Sequence, residues 1–118
     1  MLKLGMRSKF LYNSASEQEI HLAMTELLRL KYKDLLWWHT PNGSYYGSRK
    51  QAARQGLLMR KMGLRPGVPD LFFPSLKLFV EIKNAKGKCS ESQIEVMNRL
   101  EECGYRCEVL RDVATLVD

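Results

Sequence analysis

The sequence predicts an α/β domain in which helices cover a small mixed β-sheet. Three observations carry that expectation: two stretches with helical apolar spacing and capping signals at their ends, several apolar or aromatic runs too short for helices, and a Pro/Gly turn ahead of two closely spaced runs. The order is helix, strand, loop with helix, strand, strand, helix, strand, which suits helices layered on a sheet. With 118 residues, the chain fits one domain (1–118), its core spanning about 16–113 after an N-terminal arm over 1–13.

"SASEQEIHLAMTELLRLKYKD" reads as an amphipathic helix, with Ile20, Ala23, Met24, Leu27 and Leu30 at helical spacing. Ser16 and Glu19 have the spacing of a capping box, although Ser14 with Glu17 would serve equally by pattern. "LLWWHTP" reads as a strand ended by Pro41 and the turn-prone Asn42-Gly43, with at least one of Trp37 and Trp38 in the core. After the loop "NGSYYGS", residues 49–62 have helical composition, with Gly63 as the stop and Gly56 as a weakness. "RPGVP" is a turn. "DLFF" and "KLFVEIK", separated by "PSL", are close enough to pair as a hairpin. "SESQIEVMNRLEECG" is a helix with Ser90 and Gln93 at capping-box positions and Gly104 as its stop; "YRCEVLR" is a further strand, and "DVATLVD" a short terminal helix.

Composition narrows the class. No apolar run approaches membrane-spanning length and the first residues have no continuous apolar segment, so the expectation is a protein without a membrane or secretory role, in the cytoplasm (that of the host, if the chain is viral). Cys89, Cys103 and Cys107 are odd in number and form no C-x-x-C pair, which argues against a disulfide framework or thiolate zinc site; Cys103 and Cys107 are expected in or near the core. Neither His21 nor His39 has a spacing that marks it as the partner of a nucleophilic cysteine. Lys and Arg outnumber Asp and Glu by 19 to 13, and no acidic residue falls between Asp34 and Asp70. That interval holds Arg49, Lys50, Arg54, Arg60, Lys61 and Arg65, a block that attracts polyanions but would also serve as a solvated basic helix.

The chemistry concentrates in the hairpin. Residues two apart on a strand share a face at roughly 6.6 Å spacing, so Glu81 and Lys83 share one with Phe79, opposite Leu78, Val80 and Ile82. A Glu-Lys ion pair alone would explain such a face. Pairing of the two strands, however, brings Asp70 near Glu81, and two carboxylates held together are best tolerated around a divalent cation. Asp70, Glu81 and a backbone carbonyl such as that of Ile82 are oxygen ligands suited to Mg²⁺ or Mn²⁺ rather than zinc. Lys83 beside such a site could orient a nucleophile and stabilise charge on a phosphoryl group. Of the two early helix glutamates, Glu17 lies about 60° from Ile20 and Glu19 about 100° on the other side, so Glu17 is the better candidate for a further ligand. His21 shares the side of Glu17. Gln93 lies on the same side as Met97 and Leu100, facing the sheet, although capping alone would explain it.

With these residues in view, "GVPDLFF", "LFVEIKNAKGKCSESQ" and "GYRCEVLR" resemble, in order and spacing, the VRR-NUC (virus-type replication-repair nuclease) branch of the PD-(D/E)xK nuclease superfamily, over about residues 16–113. The resemblance implies a restriction-endonuclease-like α-β-β-β-α-β core. It implies a metal-binding aspartate at Asp70, a second acidic ligand at Glu81, the catalytic lysine at Lys83, the first-helix glutamate at Glu17, a glutamine packed near the site at Gln93, and a substrate-side Asn42-Gly43. His21 stands where many relatives have glutamine. Free-standing members of the branch imply a homodimeric, Mg²⁺- or Mn²⁺-dependent endonuclease for branched DNA such as four-way (Holliday) junctions, in a DNA-repair setting, with the Arg49 to Arg65 block gripping phosphates. A flap or sequence-specific endonuclease and a non-catalytic DNA-binding module are the alternatives.

Overall fold

The computed structural model describes residues 14–41 and 48–114. The expected arm over 1–13, the Asn42-Gly43 turn and the end of the terminal segment lie outside the described residues. The first helix, α1 (Glu17–Lys31), is opened by Ser16: its hydroxyl accepts from the Glu19 N–H at 3.1 Å, and the Glu19 carboxylate accepts from the Ser16 N–H at 3.2 Å. Ser16 rather than Ser14 is therefore the cap, and Glu19 is committed to it.

Strand β1 (Trp38–His39) is shorter than expected; a turn closed by the Leu35 N–H onto the Tyr32 carbonyl precedes it. Helix α2 (Arg49–Lys61) has its own capping box, Ser48 with Gln51, and ends before Gly63, whose φ of 105° is the left-handed geometry of a helix stop. Strands β2 (Leu71–Phe73) and β3 (Leu78–Ile82) form the hairpin, joined by a 3₁₀ turn over Pro74–Leu76. Helix α3 (Glu91–Glu102) is capped by Ser90 and Gln93 and leads to β4 (Arg106–Leu110).

The sheet order is β1-β2-β3-β4, antiparallel at the first two pairings and parallel at the third. A parallel pairing needs a crossover, and α3 supplies it. Alternation sorts the faces as expected. Leu71, Phe73, Val80 and Ile82 are buried with Ile20, Ala23, Met24 and Leu28 of α1, and with Leu110 and Val113. At about 1.5–3 kcal/mol per fully buried large side chain, Ile20, Met24 and Leu28 anchor α1 by roughly 5–9 kcal/mol, enough to fix where its polar side chains point. The other face carries Phe72 stacked on Phe79 with ring centroids 4.2 Å apart, flanked by Trp38 and Tyr105.

Two core expectations need correction. Leu30 is 67% exposed, since Leu28, about 40° around the helix from Met24, takes the inward position and Leu30 lies about 120° away. Cys103 is exposed because it is the C-cap of α3, whereas Cys107 is half-buried with its thiol toward the Met97 carbonyl. Of the two tryptophans, Trp37 packs against the core as expected, and Trp38 lies on the opposite face.

Candidate metal centre

The register Leu71↔Val80 puts Asp70 at the end of β2 beside Glu81 of β3. Asp70 ties β2 to the strands on both sides. Its carbonyl accepts from the Thr40 N–H at 2.9 Å and from His39 Nδ1 at 2.8 Å, and its carboxylate Oδ2 accepts from the Ile82 N–H at 2.8 Å. The preceding turn is pressed against the first turn of α3: Gly67 has φ 89°, and a Cβ there would run into the Ser92 carbonyl. Thus α3 and β3 both hold Asp70 in position.

Glu81 is 2% exposed, and its Oε2 is a buried oxygen without a hydrogen-bond partner. Burial, above all, together with a hydrogen bond to the Asp70 carboxylate and that group's charge, pushes its pKa up to about 9; Lys83 pulls it back down, and Glu17 adds to the rise. Burial and the neighbouring Asp70 thus favour the protonated form of Glu81, and a cation between the two carboxylates would relieve the same repulsion. Lys83, 8% exposed, sits on the Glu81 side of the strand, and its N–H is tied to the Leu110 carbonyl of β4 at 3.0 Å. Because the N–H and C=O of one strand residue point to the same edge, the Ile82 carbonyl is turned toward the side on which its N–H meets Asp70. Two clustered carboxylates, an orphaned buried oxygen and a backbone carbonyl fit a hard divalent cation.

The structure brings Glu17 to this centre only in part. Its side chain is exposed, yet close enough for its charge to raise the Glu81 pKa, while Glu19 is held in its cap. The oxygen of the Gln93 side chain accepts from the Ser90 N–H at 2.8 Å, and its backbone N lies where a Gly67 Cβ would crowd it at 2.9 Å. Arg49, Lys50, Arg54, Arg60, Lys61 and Arg65 are all exposed. The five on α2 fall within an arc of about 140°, and Arg65 lies 3.9 Å from Glu95 in a solvent-screened pair.

Sequence reasoning missed His39. Its ring meets that of His21 edge-on, with centroids 4.6 Å apart, and a nitrogen of each together with an oxygen of Asp70 lie within 4.8 Å of one another. Burial, then His39, lowers the His21 pKa, with Asp70 opposing. No local spacing shows this cluster. The clue lay in pairing, because His39 opposite Leu71 is necessarily a neighbour of Asp70.

A hairpin that sets an aspartate against a buried glutamate, with a lysine two residues further on, is the arrangement of a PD-(D/E)xK nuclease core. A family model described as the VRR-NUC domain matches residues 15–114, and the chain belongs to that family. VRR-NUC domains are nuclease domains of the PD-(D/E)xK type, which act on DNA and generally use divalent metals. A solved structure described as a "VRR_NUC domain protein" is similar in fold, with a TM-score of 0.65 and 21% identity over 87% of this chain and 83% of that one. No curated protein matches the chain significantly. No helix among the described residues is long and apolar enough to cross a membrane.

Proposed function

We propose that this chain is a Mg²⁺- or Mn²⁺-dependent, structure-selective endonuclease that hydrolyses phosphodiester bonds in branched DNA such as four-way junctions. The observation that carries this reading is the hairpin register that sets Asp70 opposite the buried Glu81, one of whose oxygens is unpartnered, with the buried Lys83 two residues further on. Asp70, Glu81 and the Ile82 carbonyl hold the cation, and Glu17 contributes its carboxylate from the mouth of the site. When bound, the cation supplies positive charge that polarises a phosphodiester and acidifies a water. Lys83 stabilises negative charge developing on the phosphoryl oxygens, from a backbone position tied to β4. The oxygen of the Gln93 amide is used by the α3 cap, so its amide nitrogen is the group left to contact substrate.

The exposed basic arc of α2, with Arg65 and Asn42, grips phosphates and reads backbone shape rather than base sequence, in keeping with a net charge of +6. A homodimer would engage two strands symmetrically, and α2 with its C-cap offers apolar surface outside the basic arc, since Leu58, Met59 and Met62 are between 39% and 74% exposed. Three free thiols suit a reducing cytoplasm.

The test is a cleavage panel of labelled junction, flap, single-stranded and duplex DNA. Cutting should appear with Mg²⁺ or Mn²⁺, favour the junction and stop with EDTA. Asp70→Asn keeps an acceptor for the Ile82 N–H, and both it and Lys83→Ala should abolish cutting while retaining binding. Binding without cleavage under any metal would leave a non-catalytic DNA-binding module. Preference for flaps or for one duplex sequence would overturn the junction assignment.

A further inference from the structure

Asp70 faces two chemically different sets of donors. One is the carboxylate of Glu81; the other is the pair of imidazoles of His21 and His39, one ring nitrogen of each lying within 4.8 Å of the other and of an Asp70 oxygen. A backbone carbonyl can only accept, so the 2.8 Å contact between His39 Nδ1 and the Asp70 carbonyl fixes the proton on Nδ1 and leaves the Nε2 lone pair free in the neutral ring. A histidine held this way, with its other nitrogen donating to main chain, is oriented as metal-ligating histidines are. His39 is exposed and His21 half-buried, so the donors open toward solvent. Ligands around a cation at about 2.1 Å stand roughly 3–4 Å apart, so the three groups need to close by only about an ångström. Across the hairpin from Asp70, the buried Oε2 of Glu81 has no hydrogen-bond partner, so the surroundings of Asp70 hold a further oxygen that a cation could satisfy.

We propose that His21 and His39 join Asp70 in a two-histidine, one-carboxylate cation site, so that this chain selects a borderline transition ion such as Mn²⁺ over Mg²⁺. This deepens the nuclease reading and rests on it for the role of Asp70. The physical reason is ligand chemistry. Imidazole nitrogen binds borderline transition ions well, whereas Mg²⁺ holds to oxygen and water. Ring packing alone would account for the edge-on contact of the two imidazoles, but it would not require their nitrogens to converge on a carboxylate.

The experiment uses the full chain, stripped of metal and loaded with Mn²⁺, and reads nitrogen couplings by pulsed electron paramagnetic resonance, alongside calorimetric affinities for Mn²⁺ and Mg²⁺. Wild type should show imidazole ¹⁴N coupling to bound Mn²⁺. His21→Gln and His39→Gln should each weaken Mn²⁺ binding by about tenfold or more while changing Mg²⁺ binding by less than about threefold. Circular dichroism melts check that the variants fold, and the wild-type coupling needs no variant at all. Bound Mn²⁺ without nitrogen coupling, or equal losses for both ions, would overturn the proposal. Nitrogen-coupled Mn²⁺ in a protein that cuts no DNA would sink the nuclease reading and keep this site. Mg²⁺-supported cleavage with nitrogen-free Mn²⁺ would do the reverse.

Discussion

Replacing Glu81 by glutamine separates what this residue does for the fold from what it does for a cation. In the metal-free protein the Glu81 carboxyl keeps its proton up to about pH 9, whereas in the unfolded chain it ionises near its ordinary 4.5. Between those values the folded state binds more protons than the unfolded one, so the stability attached to that proton is fully present below 4.5 and is lost as pH rises toward 9. The limiting slope is about 1.4 kcal/mol per pH unit, and coupling to Asp70 lowers it, giving a loss of roughly 2–3 kcal/mol between about pH 5.5 and pH 8. The amide of the Glu81→Gln variant would still donate to Asp70 but has no proton to lose. Urea titrations in EDTA at the two pH values should therefore show Glu81→Gln gaining on wild type by that amount as pH rises. Saturating Mn²⁺ should reverse the order, since a cation at 100 times its dissociation constant stabilises by about 2.7 kcal/mol and the variant has lost a ligand. Parallel pH profiles for the two proteins would refute the account of a buried, protonated Glu81.

Two further outcomes are expected. Gly67→Ala should destabilise the fold by more than about 2 kcal/mol and weaken Mn²⁺ binding, because the new Cβ meets the Ser92 main chain, which cannot move aside as a side chain would, and φ at this position is 89°; unchanged unfolding midpoints would refute this. Combining Arg54→Ala with Lys61→Ala should lower DNA affinity uniformly across substrates and reduce the slope of log affinity against log salt by about 2, measured by fluorescence anisotropy, whereas an unaltered slope would remove α2 from the interface.

Much of this was legible in the chain because it is written locally. Ser16 with Glu19 and Ser90 with Gln93 are three residues apart, and both boxes form as spaced. The short link between "DLFF" and "KLFVEIK" allows few registers, and the alternation that buries Leu71, Phe73, Val80 and Ile82 chooses one that puts Asp70 by Glu81. What stayed hidden depends on distant pairing or on competition between elements. The ladder of β1 is two residues long, set by where it meets β2 rather than by the apolar run, an outcome its composition does not reveal. His39 reaches Asp70 across 31 positions and meets His21 through the sheet and α1 together, so neither histidine stands out in the linear sequence. Leu30 shows the limit of periodicity: with leucines at 27, 28 and 30, the stripe's centre is settled by the sheet it meets.

The three hydrogen bonds that converge on Asp70 give it a second occupation as a rivet for β1, β2 and β3. A descendant that had abandoned hydrolysis would still be under pressure to retain an acceptor at this position, since its removal strands the Ile82 amide at the sheet's end. Persistence of this aspartate in a diverged copy would therefore be poor testimony to surviving activity. Glu81 is the more candid witness, because in the absence of a cation it is a burden to the fold.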